Sequence, residues 1–226
     1  MSSEILKIPL GISSCLLGQK VRFDSGHKHN PYITQTLGEF FSFEPFCPEV
    51  SIGLGTPREP IRLIDSDDDG TVRCVGTKDP ALDVTEELAQ CGKAQASWVA
   101  NVYGYIFKKD SPSCGMERVK VYYKASARRE GRGIFAAQIM DTFPNLPVEE
   151  EGRLGDAKLR ENFVKRVFLY KRWRDLVEVK PKPKDIVDFH ARHKLIYMSH
   201  NQTKARSLGQ LVAEIRQHDL ASFCTQ

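Results

Sequence analysis

A three-layer α/β domain with a largely parallel sheet, followed by an all-α module, is the fold that this 226-residue sequence predicts. Three observations carry the expectation. Short β-type runs alternate with helix-type stripes up to about residue 145, the pattern of a parallel sheet with helices on its faces. Beyond that point only the 3.6-residue period of helices remains. The charge also changes sign: residues 1–150 carry 17 Lys and Arg against 20 Asp and Glu, whereas residues 151–226 carry 16 against 9. Such asymmetry separates modules. The expected division is 1–148 and 149–226.

Each element has a local reason. Lys7–Ser13 is an apolar strand candidate. Asn30 caps a helix that opens on Pro31 and runs towards Phe40. Phe41–Phe46 is the next strand. Ile61–Ile64 and Thr71–Val75 flank Asp65-Ser66-Asp67-Asp68-Asp69-Gly70, an acidic hairpin turn that lacks the distal Glu of a calcium loop. Asp83-Val84-Thr85-Glu86 has the form of a capping box and opens a helix with Val84, Leu88, Cys91, Trp98 and Val99 on one face. Val102–Phe107 is a strand, and Val119–Tyr123 and Gly133–Met140 read as β or mixed structure. Glu149-Glu150-Glu151-Gly152-Arg153 reads as a charged linker or helix approach. Three helices follow, on the stripes Leu159 to Val177, Ile186 to Tyr197 and Leu208 to Ile215. Lys180-Pro181-Lys182-Pro183 separates the first two.

Composition excludes several classes. Apolar residues make up 41% and mean hydropathy is −0.39, and no apolar run reaches the length of a membrane span. The first eleven residues lack the basic and apolar regions of a secretory leader. Six cysteines without such a leader point to a reducing compartment, and the cytoplasm is the expected location. The basic second module is a candidate RNA contact, with a solvated helical surface as the plainer alternative.

The cysteines carry the chemistry. Cys15, Cys47 and Cys114 each follow a β-type run and precede Gly or Pro turn residues. In a parallel sheet such positions converge on the edge where ligands bind. Three thiols without a fourth match a metal centre with an open position. A 4Fe–4S cluster ranks above a Cys₃His zinc, for which His27 and His29 are the fourth-ligand candidates. Cys74 and Cys91 fall on core faces and read as small hydrophobes, while Cys224 lies near the terminus. Glu49 stands two residues from Cys47, and Ser111 and Ser113 bracket Pro112 beside Cys114. Arg58 is a candidate clamp for a phosphate or carboxylate, with a surface or ion-pairing role as the plainer alternative, and Lys20, Arg22, Lys108 and Lys109 add positive charge near the cysteine loops. A rim of this kind suits a small anionic substrate.

These motifs together resemble the thiouracil desulfurase family. The resemblance rests on Cys15-Leu16-Leu17-Gly18 with Val21-Arg22-Phe23-Asp24, on Cys47-Pro48-Glu49 with Gly53-Leu54-Gly55-Thr56-Pro57-Arg58-Glu59-Pro60, and on Ser111-Pro112-Ser113-Cys114-Gly115. It covers about residues 5–145, and Ser25 stands where the family often has Gly. It implies a Rossmann-like domain holding a 4Fe–4S cluster through Cys15, Cys47 and Cys114, with Glu49 and Ser111 catalytic. Arg58, Ser113, Lys108 and Lys109 complete the expected site as substrate contacts. The later stretches Leu146–Leu154, Arg160–Phe163 and Phe189–Lys194 resemble a helical domain fused behind desulfurases, and this module looks shorter than that domain.

The expected activity is conversion of a thiouracil-type thiocarbonyl to a carbonyl without net redox change. In that reading substrate sulfur takes the open iron, Glu49 handles a proton, and Ser111 orients the base or water. The substrate is a thiolated pyrimidine base or nucleotide, such as a thiouridine monophosphate from RNA turnover. The rivals are an RNA-binding protein with a structural metal site and a Cys₃His zinc hydrolase.

Overall fold

The structure, a computed structural model, describes residues 6–65, 70–215 and 220. In chain order the elements are β1 (Ile8–Ser13), β2 (Phe41–Phe46), α1 (Pro48–Ser51), β3 (Ile61–Ile64), β4 (Arg73–Gly76), α2 (Thr85–Ala94) and α3 (Ala96–Val99). They continue with β5 (Tyr105–Phe107), β6 (Val119–Tyr122), β7 (Ala127–Gly131), α4 (Ile134–Thr142), β8 (Val148–Glu150), α5 (Ala157–Glu178), α6 (Pro183–His200) and α7 (Gln202–Ala213).

Five of the six residues of β1 are buried, as expected of a strand covered on both faces. It sits inside a four-stranded sheet of order β2-β1-β5-β8, in which every pairing is parallel. The chain runs from β1 to β2 on one side and later returns to β5 on the other. This makes the β1–β5 gap a topological switch point, where open α/β sheets bind ligands beyond their carboxyl edge.

The remaining strands form a second sheet, of order β4-β3-β6-β7, with antiparallel pairs β3/β4 and β6/β7 and a parallel pair β3/β6. The architecture is α/β with one parallel and one mixed sheet, where the sequence predicts a single largely parallel one. Hairpins such as β6–β7 need only a short turn, whereas a parallel neighbour needs a long crossover.

Local expectations hold where the signal is strong. Strands β2 and β3 have the predicted ends. Asn30 Oδ1 accepts from the amides of Tyr32 (3.1 Å) and Ile33 (3.4 Å), so its capping role stands. The turn it caps is a π-helical Tyr32–Thr36 followed by a 3₁₀ Leu37–Glu39, not a regular α-helix. The expected capping box at Asp83–Glu86 does not form: Val84 is the N-cap of α2, and Asp83 Oδ1 instead accepts from the amide (3.0 Å) and hydroxyl (2.6 Å) of Thr85. Helix α2 also ends before Trp98 and Val99, which occupy α3. Residues 66–69, the centre of the acidic turn, and Cys224 lie outside the described residues.

Two stretches differ from expectation. Gly133–Met140 contributes helix α4, with Phe135, Ala136 and Ile139 in the core. The charged stretch at 149–153 contributes β8, an edge strand with Glu149 and Glu150 buried. Each carboxylate has a partner. Glu149 accepts from Arg153 Nε (2.6 Å), Glu150 accepts from the Met116 amide (2.8 Å), and Glu151 pairs with Lys108 Nζ while accepting from the Lys109 amide (2.7 Å).

The chain forms two compact units, 1–170 and 171–226. In the first, Phe163 and Val167 of α5 pack with Ile8, Leu10, Ile12 and Phe41 against the parallel sheet. The second has its own small core of Ile186, Val212 and Ile215, with Leu208 and Leu220 against it. Trp173 and His193 flank Phe189 at ring separations of 5.3 and 4.2 Å. Among the described residues no helix is long and apolar enough to cross a membrane.

Candidate metal centre

Parallel register puts the ends of three adjacent strands at one edge, because Ser13 faces Phe46 and Ile12 faces Ile106. The three cysteine loops leave from that edge. Cys15 lies in a 3₁₀ turn, Ser14–Leu17, closed by Gly18, whose φ of 91° is unfavourable for any residue with a Cβ. Cys47 follows β2 directly and precedes α1, whose first residue is Pro48. Cys114 lies in the loop after β5. The first turn of α4 holds that loop, with the amides of Gly133, Ile134 and Ala136 donating to the carbonyls of Gly115 (2.8 Å), Pro112 (3.1 Å) and Ser113 (3.1 Å). A Cβ on Gly133 would lie 2.5 Å from the Ser113 carbonyl carbon, so this approach requires glycine.

Cys15, Cys47 and Cys114 line one cavity of about 350 Å³, together with Ser13, Arg22, Glu49, Arg58, Lys108, Lys109 and Ser111 among others. That volume falls within the range of small-molecule sites. Ser113, expected as a substrate contact, is fully buried behind this lining. Lys20 does not line the cavity. Cys74 and Cys91 pack in the core as expected.

Burial raises all three thiols above their ordinary range. It pushes Cys15 up to about 11, with Lys108 and Arg22 pulling the other way. Cys47 is raised by burial and partly relieved by the amide of Val50, and Cys114 is raised by burial and by the neighbouring Cys47. All described cysteines are free thiols. Among the described residues, no three His, Cys, Asp or Glu side chains are gathered tightly enough to hold a single metal ion. Three soft donors spaced around a cavity match a larger thiophilic group better than one zinc. His29 Nε2 is engaged with Thr34 Oγ1 at 3.0 Å, on the exposed side of its loop.

Glu49 is the hub of the polar groups. Its Oε2 accepts from Arg58 Nε (3.0 Å) and Nη2 (2.6 Å), and its Oε1 accepts from Ser113 Oγ (2.6 Å). Ser113 Oγ lies 3.0 Å from Ser111 Oγ, which accepts from the Cys114 amide at 3.1 Å. A hydroxyl has one hydrogen. Ser113 gives its own to Glu49, so Ser111 donates to Ser113 and keeps acceptor capacity at the cavity. Lys108 is paired with Glu151, and its amide donates to Ser13 Oγ at 3.0 Å. Sequence reasoning missed Ser13 and Glu151, since nothing in their local context marks them.

Comparison with known proteins now bears on this arrangement. The family model of 2-thiouracil desulfurase matches residues 10–151, which include all three cysteine loops. The chain belongs to that family. A curated relative, the uncharacterized protein YbbK of Bacillus subtilis (strain 168), is 32% identical over 133 residues, covering 56% of this chain and 85% of the relative. A solved structure described as the 4Fe–4S-dependent thiouracil desulfidase TudS is 27% identical with a TM-score of 0.50, covering 68% of this chain and 97% of that one. The match to the 2-thiouracil desulfurase family stops within the first compact unit.

Proposed function

We propose that this protein is an enzyme that removes sulfur from thiolated uracil compounds without net redox change, and that it holds a 4Fe–4S cluster through Cys15, Cys47 and Cys114. The observation that carries the reading is the meeting of three thiols and the Glu49–Ser113–Ser111 chain around one cavity. Family membership and the likeness to a desulfidase that depends on such a cluster support it. The β2-β1-β5-β8 order, with the cavity beside its switch point, supports a Rossmann-like description of the first unit. When bound, the cluster supplies a soft Lewis-acid position that polarises a thiocarbonyl.

The chain's own residues supply the proton handling and the positioning. Ser111 accepts from a water at the cavity and passes the proton by Ser113 to Glu49 Oε1. The hydroxide adds at the thiocarbonyl carbon, and Glu49 returns the proton as sulfide departs. The carbon ends with oxygen in place of sulfur, so one water is consumed and no electrons are gained or lost. Lys109 and Arg22 at the rim favour a nucleotide such as thiouridine monophosphate over a free base. A cytoplasmic role in salvaging such nucleotides, with a catalytic unit separable from the helical one, completes the reading.

An RNA contact through the second unit gains no support; part of its positive charge is spent on helix-surface pairs such as Lys171–Asp175 (2.6 Å). The test of the reading is anaerobic reconstitution with iron and sulfide, followed by incubation with thiouracil and thiouridine monophosphate. Brown absorbance and stoichiometric sulfide and oxo product are expected. A colourless, zinc-loaded active protein would overturn the cluster, and a loaded protein inert on every thiolated uracil would overturn the reaction.

A further inference from the structure

Arg58 lines the cavity, yet four of its N–H groups point elsewhere. Nε and Nη2 meet Glu49 Oε2, Nη2 also meets the Val21 carbonyl (2.9 Å), and Nη1 meets the Gly55 carbonyl (2.7 Å). The guanidinium has five donors in a rigid fork, so little remains to grip a ligand. Its side chain is 6% exposed and that of Glu49 is 14% exposed. The Arg58 amide donates to the Phe23 carbonyl at 2.9 Å, which fixes the stem as well as the head. Three loops are thereby tied together: the Cys15 loop through Val21 and Phe23, the Cys47 loop through Glu49, and the Gly53–Gly55 turn.

We infer that Arg58 is a positioning residue for Glu49 and not the clamp for a substrate anion that its place in the sequence predicts. The inference rests on the proposed role of Glu49 in proton transfer. A carboxylate on a flexible side chain rotates freely unless both oxygens are held. Arg58 fixes Oε2 and the plane, while Ser113 takes Oε1, so the oxygen facing the hydroxyl chain is always the same one. Misplacement of a reacting group by about 1 Å costs on the order of 100-fold in rate. Lysine supplies the charge at this position but not the two-point fork.

The test is a double-mutant cycle between Arg58→Met and Glu49→Gln, with Arg58→Lys as the conservative variant. In cluster-loaded protein, Arg58→Met is expected to lower kcat about 30- to 100-fold with KM within about threefold. In the Glu49→Gln background the same change adds less than about threefold, because residues that act through one another are not additive. Arg58→Lys restores part of the loss. In apoprotein, urea unfolding reads the same pair without catalysis. Arg58→Met alone destabilises more than the double variant, since it leaves the half-buried Glu49 carboxylate without its cation.

A rise in KM of about tenfold or more for thiouridine monophosphate, with kcat unchanged and the effect intact beside Glu49→Gln, would make Arg58 a substrate clamp. Additive losses in both the kinetic and the unfolding cycle would overturn the coupling. If the loaded wild-type protein releases no sulfide, the proposed reaction fails, while the apoprotein cycle still decides whether Arg58 and Glu49 act as a pair.

Discussion

Ser113 Oγ lies 2.6 Å from Glu49 Oε1, joining side chains 64 residues apart. Ser113 is fully buried, and the cavity-lining hydroxyl of Ser111 reaches Glu49 through it at 3.0 Å. The two serines of one short loop therefore have different surroundings, one lining the cavity and the other bonded to the carboxylate. The hydroxyl chain also spans the distance between a residue that follows β2 and a loop that follows β5.

Removing the carboxylate while keeping its shape isolates its role. Glu49→Gln is expected to load the cluster normally, with an unchanged visible spectrum, and to lose turnover by about 100-fold or more. Ser113→Ala, which leaves Glu49 Oε1 without its donor, loses about tenfold or more in kcat with little change in KM. Steady-state kinetics on protein of matched iron content checks both. Near-wild-type kcat in both variants would remove the relay from the reaction.

The cysteines divide by position. Cys15→Ser, Cys47→Ser and Cys114→Ser should each lose brown absorbance and activity after anaerobic reconstitution. Cys74→Ser and Cys91→Ser should keep both. Cys74 is fully buried in β4, so a hydroxyl there costs about 1–3 kcal/mol of stability. Loss of the absorbance in Cys74→Ser would rule out the three-ligand set.

Burial of the thiols makes the apoprotein sensitive to base. Cys15 rises from 9.0 to about 11 on folding, so the unfolded chain gives up that proton first. Stability from this group is complete below about pH 9 and falls as pH rises towards 11, by an amount on the order of 2–3 kcal/mol. The thiols of Cys74 and Cys114 are raised by burial too and act in the same direction. Urea unfolding of apoprotein at about pH 8 and pH 10.5 measures the slope, and Cys15→Ala should make it shallower. An unchanged slope in that variant would assign the base sensitivity to other groups.

The two units should separate inside α5. A chain ending at Tyr170 keeps Phe163 and Val167 against the parallel sheet and is expected to fold and load the cluster. A chain ending at Glu149 loses them, together with the Glu151 partner of Lys108, and is expected to be insoluble or depleted in cluster. Comparing soluble yield and iron content of the two chains decides the boundary.

Much of this protein was determined by its sequence alone. Apolar runs placed β1, β2 and β3, the 3.6-residue stripes placed α5 to α7, and prolines marked the break before α6. Such signals are local, since periodicity and turn chemistry act over a few residues. The repeated context of Cys15, Cys47 and Cys114 also anticipated their convergence, because strand ends of a parallel sheet share an edge. Tertiary structure alone decided the rest. Glu149 and Glu150 belong to a stretch that reads as a charged linker or helix approach, yet they end a buried edge strand because Arg153 and the Met116 amide satisfy them. Gly133–Met140 declares itself a helix only when its first amides find the carbonyls of the Cys114 loop. Arg58 reads as a candidate anion clamp or an ion-pairing residue of unnamed partner until Glu49, Val21 and Gly55 take its donors. In each case the deciding partner is remote in sequence or belongs to another loop, so its energy exists only after the chain has folded.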